Sequence, residues 1–303
     1  MDASDGQQEL TAVKAPARAT AKTPTRAGRL LIVSTGAGSM TPELESKLHA
    51  AFADHLIIDF DPKQDFEKLI NPRAPVIVAG GDGTVEFVVR KLADSRHPVG
   101  ILPLGTYNNF PRALGIPLDI DRAIAVARNG RPRAITLGRV NEHIFLEACA
   151  IGLFGETIAL GDSAKDMHFG ELVGKLKDVI AARPFQYELS GDITGNGTAM
   201  SLVFSNTSSI GSNLPVSDAT PIDPYLEFTV HAGRSRTDIV RRALAAAILN
   251  KDKEDGLGQV FRFKSISITA KPRVRIYADN FPVGRTPATI TAEVSALKVL
   301  LPR

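Results

Sequence analysis

Hydrophobic and polar positions follow two regimes along the chain. Between Arg29 and Asn129, short apolar runs alternate with segments whose apolar residues recur every three or four positions. Arg29–Ser34, His55–Phe60, Pro75–Ala79 and Val99–Leu104 read as strands, rich in β-branched and aliphatic residues. Thr41-Pro42 is a cap followed by proline in the first turn, and Leu44, Leu48, Ala51 and Phe52 continue from it at helical spacing. Phe66–Ile70 predicts a short helix, and Ile120–Ala127 an amphipathic one closed by Asn129-Gly130. Strands alternating with helices predict an α/β N-terminal domain built on a doubly wound parallel sheet.

The pattern then becomes mostly β. Ala134–Val140, His143–Ala150, Phe185–Leu189, Met200–Ser205, Tyr225–Ala232, Val260–Thr269, Arg273–Tyr277, Ala288–Glu293 and Leu297–Leu301 read as strands with turns between them. They predict a mainly antiparallel C-terminal domain that starts near Ile135. Two apolar stripes of helical spacing interrupt it, Phe169–Ile180 and Ile239–Ile248. Both have basic edges, Lys165, Lys175 and Lys177 on one and Arg234, Arg236, Arg241, Arg242 and Lys251 on the other. They read as helices packed on the sheet with solvated rims, or as rims that face anionic lipid headgroups. Residues 1–28 are rich in Ala, Thr, Lys and Pro without an apolar period, and predict a disordered basic tail. The expected organisation is this tail, an α/β domain over 29–134, and a β-rich domain over 135–303.

Composition narrows the class. With 303 residues and 44% apolar content the chain can bury a sizeable core. A net charge of +3 is a weak argument for an anionic partner. One cysteine, Cys149, excludes an internal disulfide framework, and its apolar neighbours predict an inert buried thiol. No apolar run reaches the roughly 18 residues of a membrane span, and the N-terminus has no signal-peptide core. The expectation is a soluble protein, or one attached only to a membrane surface. Repeats, zinc-ligand spacing, a GxSxG elbow and an aromatic-interleaved basic patch are all missing, so no nucleic-acid partner is expected.

The chemistry concentrates in two turns. Pro75–Ala79 empties into Gly80-Gly81-Asp82-Gly83-Thr84, where Thr84 is placed to cap a helix over Val85–Leu92. Strand, glycine turn and helix start present bare N–H groups to an anion, and glycines let a phosphate approach without meeting a Cβ. Asp82 is out of place beside a phosphate unless a cation lies between them or it handles a proton; an ordinary Asp-Gly turn is the alternative. Val99–Leu104 likewise ends in Gly105-Thr106-Tyr107-Asn108-Asn109-Phe110. Both turns fall at the C-terminal edge of a parallel sheet, where open α/β folds bind ligands.

Together, GGDGT and the run Pro103-Leu104-Gly105-Thr106-Tyr107-Asn108-Asn109-Phe110 resemble the marks of the diacylglycerol kinase catalytic-domain family, which includes bacterial lipid kinases and sphingosine and ceramide kinases. The resemblance implies a lipid kinase that uses ATP and Mg²⁺ to phosphorylate a hydroxyl of a diacylglycerol- or sphingoid-like lipid. It further implies a β-sandwich-like second domain whose last strand can return to the first. A cytoplasmic protein, peripheral at the inner membrane surface where it meets its lipid, is the matching expectation. Residue by residue, it implies that Gly80, Gly81, Gly83 and Thr84 cradle the nucleotide, with Gly105, Thr106 and Asn108 completing the pocket. Gly36 corresponds only loosely, in a turn that lacks the family's Asn-Pro. Asp82 takes the cation, and Asp279 in Tyr277-Ala278-Asp279-Asn280-Phe281 matches the family's proton acceptor. Asp223 matches a structural Mg²⁺ site, with an Asp-Pro turn as the other reading. Several positions depart from the family: Phe87 and Phe281 replace glutamates, Asn109 replaces an aspartate, Tyr107, Pro224 and Asn280 replace glycines, and Pro111 replaces an alanine. Glu86, one position off, is expected to point elsewhere on its helix, and Phe281 to share the face of Asp279 as an apolar wall. A catalytically inactive relative that binds nucleotide or lipid as a regulator is the alternative; an NAD kinase, which shares GGDG, is a third. Oligomeric state is open, a homodimer included.

Overall fold

The computed structural model describes residues 28–155, 183–211, 214–231 and 260–303. The basic tail and both basic-edged stripes lie outside them. The first half comprises β1 (Leu30–Val33), α1 (Pro42–Ala51), β2 (Leu56–Asp59), β3 (Val76–Gly80), α2 (Asp82–Leu92), β4 (Pro98–Pro103), the short α3 (Asn109–Ala113) and α4 (Ile120–Asn129). The strands lie parallel in the order β2-β1-β3-β4. Each has apolar side chains on both faces because helices cover both. Val85, Val88, Val89 and Leu92 of α2 pack on Leu30, Ile32, Val76 and Val78. On the other side, Leu48 of α1, Phe52 at its C-cap, and Ala123 and Ala127 of α4 pack on Leu31, Val33, Ile77 and Ala79. Thr41 caps α1 as expected, accepting from Leu44 N at 3.2 Å.

α2 starts three residues before Val85, with Gly81 and not Thr84 at the cap. The N–H groups of Thr84 and Val85 both turn back to Gly81 O, at 3.1 and 3.0 Å. Asp82 therefore stands in the first turn, where the helix dipole favours a negative charge.

The second half comprises β5 (Arg131–Val140), β6 (His143–Phe145), β7 (Ala148–Gly152), β8 (Phe185–Gly191), β9 (Gly195–Ala199), β10 (Ser201–Ser205), β11 (Ser209–Ile210), β12 (Leu214–Pro215), β13 (Leu226–His231), β14 (Val260–Phe263), β15 (Ser265–Lys271), β16 (Arg275–Ala278), β17 (Phe281–Arg285) and β18 (Ala288–Leu301). One sheet runs β14-β13-β10-β7-β16-β17 and is antiparallel throughout. β18, β15, β8 and β9 continue the parallel sheet in the order β4-β18-β15-β8-β9, with β5 against β18 and β6 against β5, while β11 and β12 pair only with each other. Between the two sheets lies a core that includes Phe145, Phe204, Phe228, Ile266 and Ile290, with the Phe204 and Phe228 rings stacked at 4.8 Å. The fold is thus a parallel α/β layer joined to an antiparallel two-sheet layer, the class expected from the periodicity.

Three differences from the expected strands matter below. The apolar run His143–Ala150 breaks into two strands at Leu146-Glu147. Ala288–Leu301 is one strand whose register slips between Glu293 and Leu297, pairing antiparallel with β15 at its start and parallel with β4 near its end. The glycine-containing β9 and β17 carry no strong strand signal. Cys149 is fully buried and burial pushes its thiol pKa up, so it stays protonated. No helix among the described residues is long and apolar enough to cross a membrane.

Candidate active site

Because β1, β3 and β4 run parallel, the turns that follow them gather at one edge. There they meet the β6–β7 connection and the β16–β17 turn around a cavity of about 510 Å³. Of the residues expected to hold nucleotide, Gly36, Gly81, Gly83, Thr84, Gly105 and Thr106 line this cavity, as does Asp82. Gly80 does not: a Cβ on it would meet the Thr84 Cβ at 2.7 Å, so it permits close packing of β3 on α2. Gly81 and Gly105 lie back to back, 3.5 Å from an added Gly81 Cβ to the Gly105 Cα. A Cβ on Gly105 would stand 2.7 Å from Asp82 Oδ2 and 2.9 Å from Asn108 Oδ1.

Asn108 is outside the cavity lining as well. It occupies the left-handed region at φ 51°, and its amide spans the turn, accepting from Gly105 N at 3.0 Å and donating to Gly105 O at 2.7 Å. Its part is to hold the Gly105 turn in shape. Asp223 is not brought to Asp82 or to the cavity lining. Its carboxylate accepts from Thr220 N at 3.3 Å and its carbonyl from Thr136 Oγ1 at 2.6 Å, the pattern of a closed turn. Among the described residues, no group of three or more His, Cys, Asp or Glu is arranged to hold a metal ion.

Asp279 lies in the β16–β17 turn at φ 54° and lines the cavity. Its Oδ1 accepts from Glu147 N (2.8 Å) and Ala148 N (3.1 Å), and its Oδ2 from Leu146 N (3.0 Å) and Arg90 Nη2 (2.9 Å). The side chain takes the place of the strand partner that the chain loses at Leu146-Glu147. The left-handed backbone also breaks the alternation beyond it. Phe281 therefore leaves the cavity, 49% exposed, with the Arg90 guanidinium 5.5 Å from its ring. The expected apolar wall does not form.

Glu86 does not point away from the site. Val85, Val88, Val89 and Leu92 take the buried stripe of α2, which turns Glu86 onto the cavity side, with Arg90 one helical turn on and paired to Asp279. Glu86 Oε1 lies 2.5 Å from Arg90 Nη2 but off hydrogen-bond geometry, and its side chain is 13% exposed. Burial, and then the charge of Asp279, push its carboxyl pKa up against the opposing pull of Arg90. Phe87 instead packs edge-on against Phe60, ring centres 5.3 Å apart, next to the core.

Sequence reasoning missed Glu147. Its Oε2 accepts from Asn109 Nδ2 and from Gly211 N, each at 3.2 Å. Asn109 is itself held by Gly211 O (2.7 Å) and by Ser209 Oγ (3.2 Å). Burial raises the Glu147 pKa, the charges of Asp279 and Asp82 raise it further, and the hydrogen bonds from Gly211 and Asn109 act the other way. The available signal was a single charge inside the apolar run Phe145-Leu146-Glu147-Ala148-Cys149-Ala150. The cavity therefore presents bare glycine turns at a helix start, together with a cluster of carboxylates from Asp82, Glu86, Glu147 and Asp279.

Comparison with known proteins places the chain in a family. Residues 31–140 match the family profile described as the diacylglycerol kinase catalytic domain. A diacylglycerol kinase of Mycobacterium tuberculosis is 32% identical over 245 residues, 75% of this chain and 77% of its own. One from Bacillus subtilis is 38% identical over 144 residues, 45% of this chain and 47% of its own. The solved structure of a diacylglycerol kinase from Bacillus anthracis str. Sterne shares the fold, with a TM-score of 0.67 at 22% identity over 90% of this chain and 96% of that one. The chain belongs to the diacylglycerol kinase catalytic-domain family and is a lipid kinase.

Proposed function

We propose that the protein transfers the γ-phosphate of ATP to a hydroxyl of a diacylglycerol- or sphingoid-like lipid presented at a membrane surface. One observation carries this reading. The glycine turns after β3 and β4, suited to phosphates, share a single cavity with the acidic β16–β17 turn of the second layer. Phosphoryl transfer needs little covalent chemistry from the protein beyond positioning and charge stabilisation. Bare N–H groups at the start of α2 suit the phosphates, and Thr84 and Thr106 add hydroxyls beside them.

The residues fit Mg²⁺ carried on the nucleotide. Such an ion is held by one or two carboxylates plus phosphates and waters, without an all-protein cage, and Asp82 beside the glycine turns supplies a carboxylate. When bound, the ion neutralises charge on the transferred group. Asp223 has no part in this site. Asp279, with four donors on its two oxygens, fixes Leu146–Ala148 and Arg90 around the acceptor side.

The test is transfer of labelled γ-phosphate to a panel of lipids in anionic vesicles, with NAD in parallel, at low and high salt. Labelled lipid, with faster transfer at low salt, is the expected result. Labelled NAD, or ATP binding without transfer to any lipid, would overturn the reading.

A further inference from the structure

A hydroxyl acceptor gives up its proton to a group held in a fixed relation to the transferring phosphate. Asp279, at the position of the family's proton acceptor, receives four donors on its two oxygens. Three are the main-chain N–H groups of Leu146, Glu147 and Ala148, in the same layer as Asp279 itself. The fourth is Arg90 Nη2, from α2, whose first turn carries Asp82 beside the glycine turns. Arg90 thus joins the helix at the glycine turns to the β16–β17 turn, through Asp279 Oδ2 at 2.9 Å and Ala278 O at 3.4 Å.

We infer that Arg90 is a positioning residue of the transfer: its guanidinium holds the Asp279 carboxylate in register with the glycine turns and yields its place on Oδ2 to the acceptor hydroxyl. The inference rests on the lipid-kinase reading above and on the family's role for Asp279. As the hydroxyl oxygen bonds to the γ-phosphorus, the bond from that phosphorus to the bridging oxygen breaks and its electron pair leaves on ADP. The hydroxyl proton passes to Asp279, which later releases it to water.

The surroundings of Arg90 suit both parts of this role. A carboxylate has about four lone-pair sites, and four donors fill those of Asp279. The three main-chain donors are fixed by the backbone, whereas the arginine can rotate aside. A second acceptor is at hand: the same Nη2 lies 2.5 Å from Glu86 Oε1, which among the described residues carries no hydrogen bond. Phe281 sets its ring 5.5 Å from the guanidinium, a flat support that persists through the change of partner. The glutamate that the family carries at this position would instead compete with Asp279 for the same cation. The titratable groups that face Asp279 are Arg90 and Glu86 of α2, Glu147 in the β6–β7 connection and Cys149 of β7. Arg90 is the cation among them, and a cation beside a carboxylate favours the charged form that can accept a proton.

The experiment compares the full-length wild type with Arg90→Gln and Arg90→Lys in labelled-phosphate transfer to diacylglycerol and to sphingosine in mixed micelles, each with a melting temperature and a pH profile. Arg90→Gln is expected to lose about 10- to 10²-fold in kcat with KM for ATP within about threefold. Without the cation the protonated carboxyl is favoured, so the acid limb of kcat/KM should move up by about one pH unit. Arg90→Lys restores the charge but not the planar fork. Its acid limb should match wild type while kcat stays about tenfold low. An arginine that only held the fold together would lower the melting temperature and leave kcat and the acid limb as they are. Turnover of Arg90→Lys within about threefold of wild type, an unmoved acid limb in Arg90→Gln, or failure of both variants to fold overturns the assignment alone. A wild type that phosphorylates no lipid overturns the lipid-kinase reading, and the assignment with it.

Discussion

Glycines in the turns after β3 and β4 do different work, and a single methyl group separates them. Gly83→Ala places a Cβ where no protein atom lies within 4 Å. Its melting temperature should match wild type while ATP affinity, read by calorimetry, falls, if a phosphate needs that space. Gly105→Ala must instead displace the Asp82 carboxylate, 2.7 Å away, and the Asn108 latch at 2.9 Å. It should lose on the order of 1–3 kcal/mol of stability as well as activity. Glu86 gives a second residue-scale test. Its folded-state pKa is raised from the ordinary 4.5, so the folded protein holds a proton that the unfolded chain releases. Stability therefore falls as pH rises above that value. Glu86→Gln should show no advantage near about pH 4 and a growing one, on the order of several degrees in melting temperature, toward about pH 8. An advantage that is constant across this range would mean that Glu86 ionises normally.

Among the elements, the β6–β7 connection and the β16–β17 turn are one device. Asp279 supplies the acceptor for three consecutive N–H groups and for Arg90. Asp279→Asn replaces one acceptor oxygen by an NH₂ that faces donors, and should cost on the order of 3–5 kcal/mol. A melting temperature within a degree or so of wild type would show that the clamp is dispensable. This device also marks the limit of what the sequence discloses. The strand runs around Ile77 and Ile101 and the stripe Val85-Val88-Val89-Leu92 are local periodicities, and they are found where expected. The break at Leu146-Glu147 is not local: its cause is a side chain more than 130 positions away. The inward turn of Glu86 depends on which face of α2 the sheet claims, and the exit of Phe281 on one left-handed residue. Motif matching found the glycine turns and Asp279 through short patterns. Glu147 belongs to no such pattern, and only the fold brings it to Asn109.

For the molecule as a whole, β18 is the decisive strand. It pairs with β15 inside the second layer and with β4 of the first, while β5 accompanies it from Ile290↔Val140 to Leu301↔Arg131. Its apolar residues are divided between cores: Ile290 belongs to the sandwich, Leu297 and Val299 to one face of the parallel sheet, and Leu300 to the other. Neither half can lose β18 without opening the other, so calorimetry should record one cooperative transition with equal calorimetric and van't Hoff enthalpies. Two resolved transitions would show that the halves are independent.

The same pair of strands bears on competition with the solvent. Kinases that rotate their lobes shut on the nucleotide expel water before the chemistry begins. Two hydrogen-bonded strands side by side resist the bending that a single-stranded hinge allows. Shielding the γ-phosphate then falls to local parts of the cavity, and the arriving lipid is the largest body available to fill it. Under the proposed transfer from ATP to a lipid, a water molecule in the seat of the hydroxyl would meet the same phosphate, so slow ATP hydrolysis is the leak expected of such a scaffold, with the lipid as its stopper.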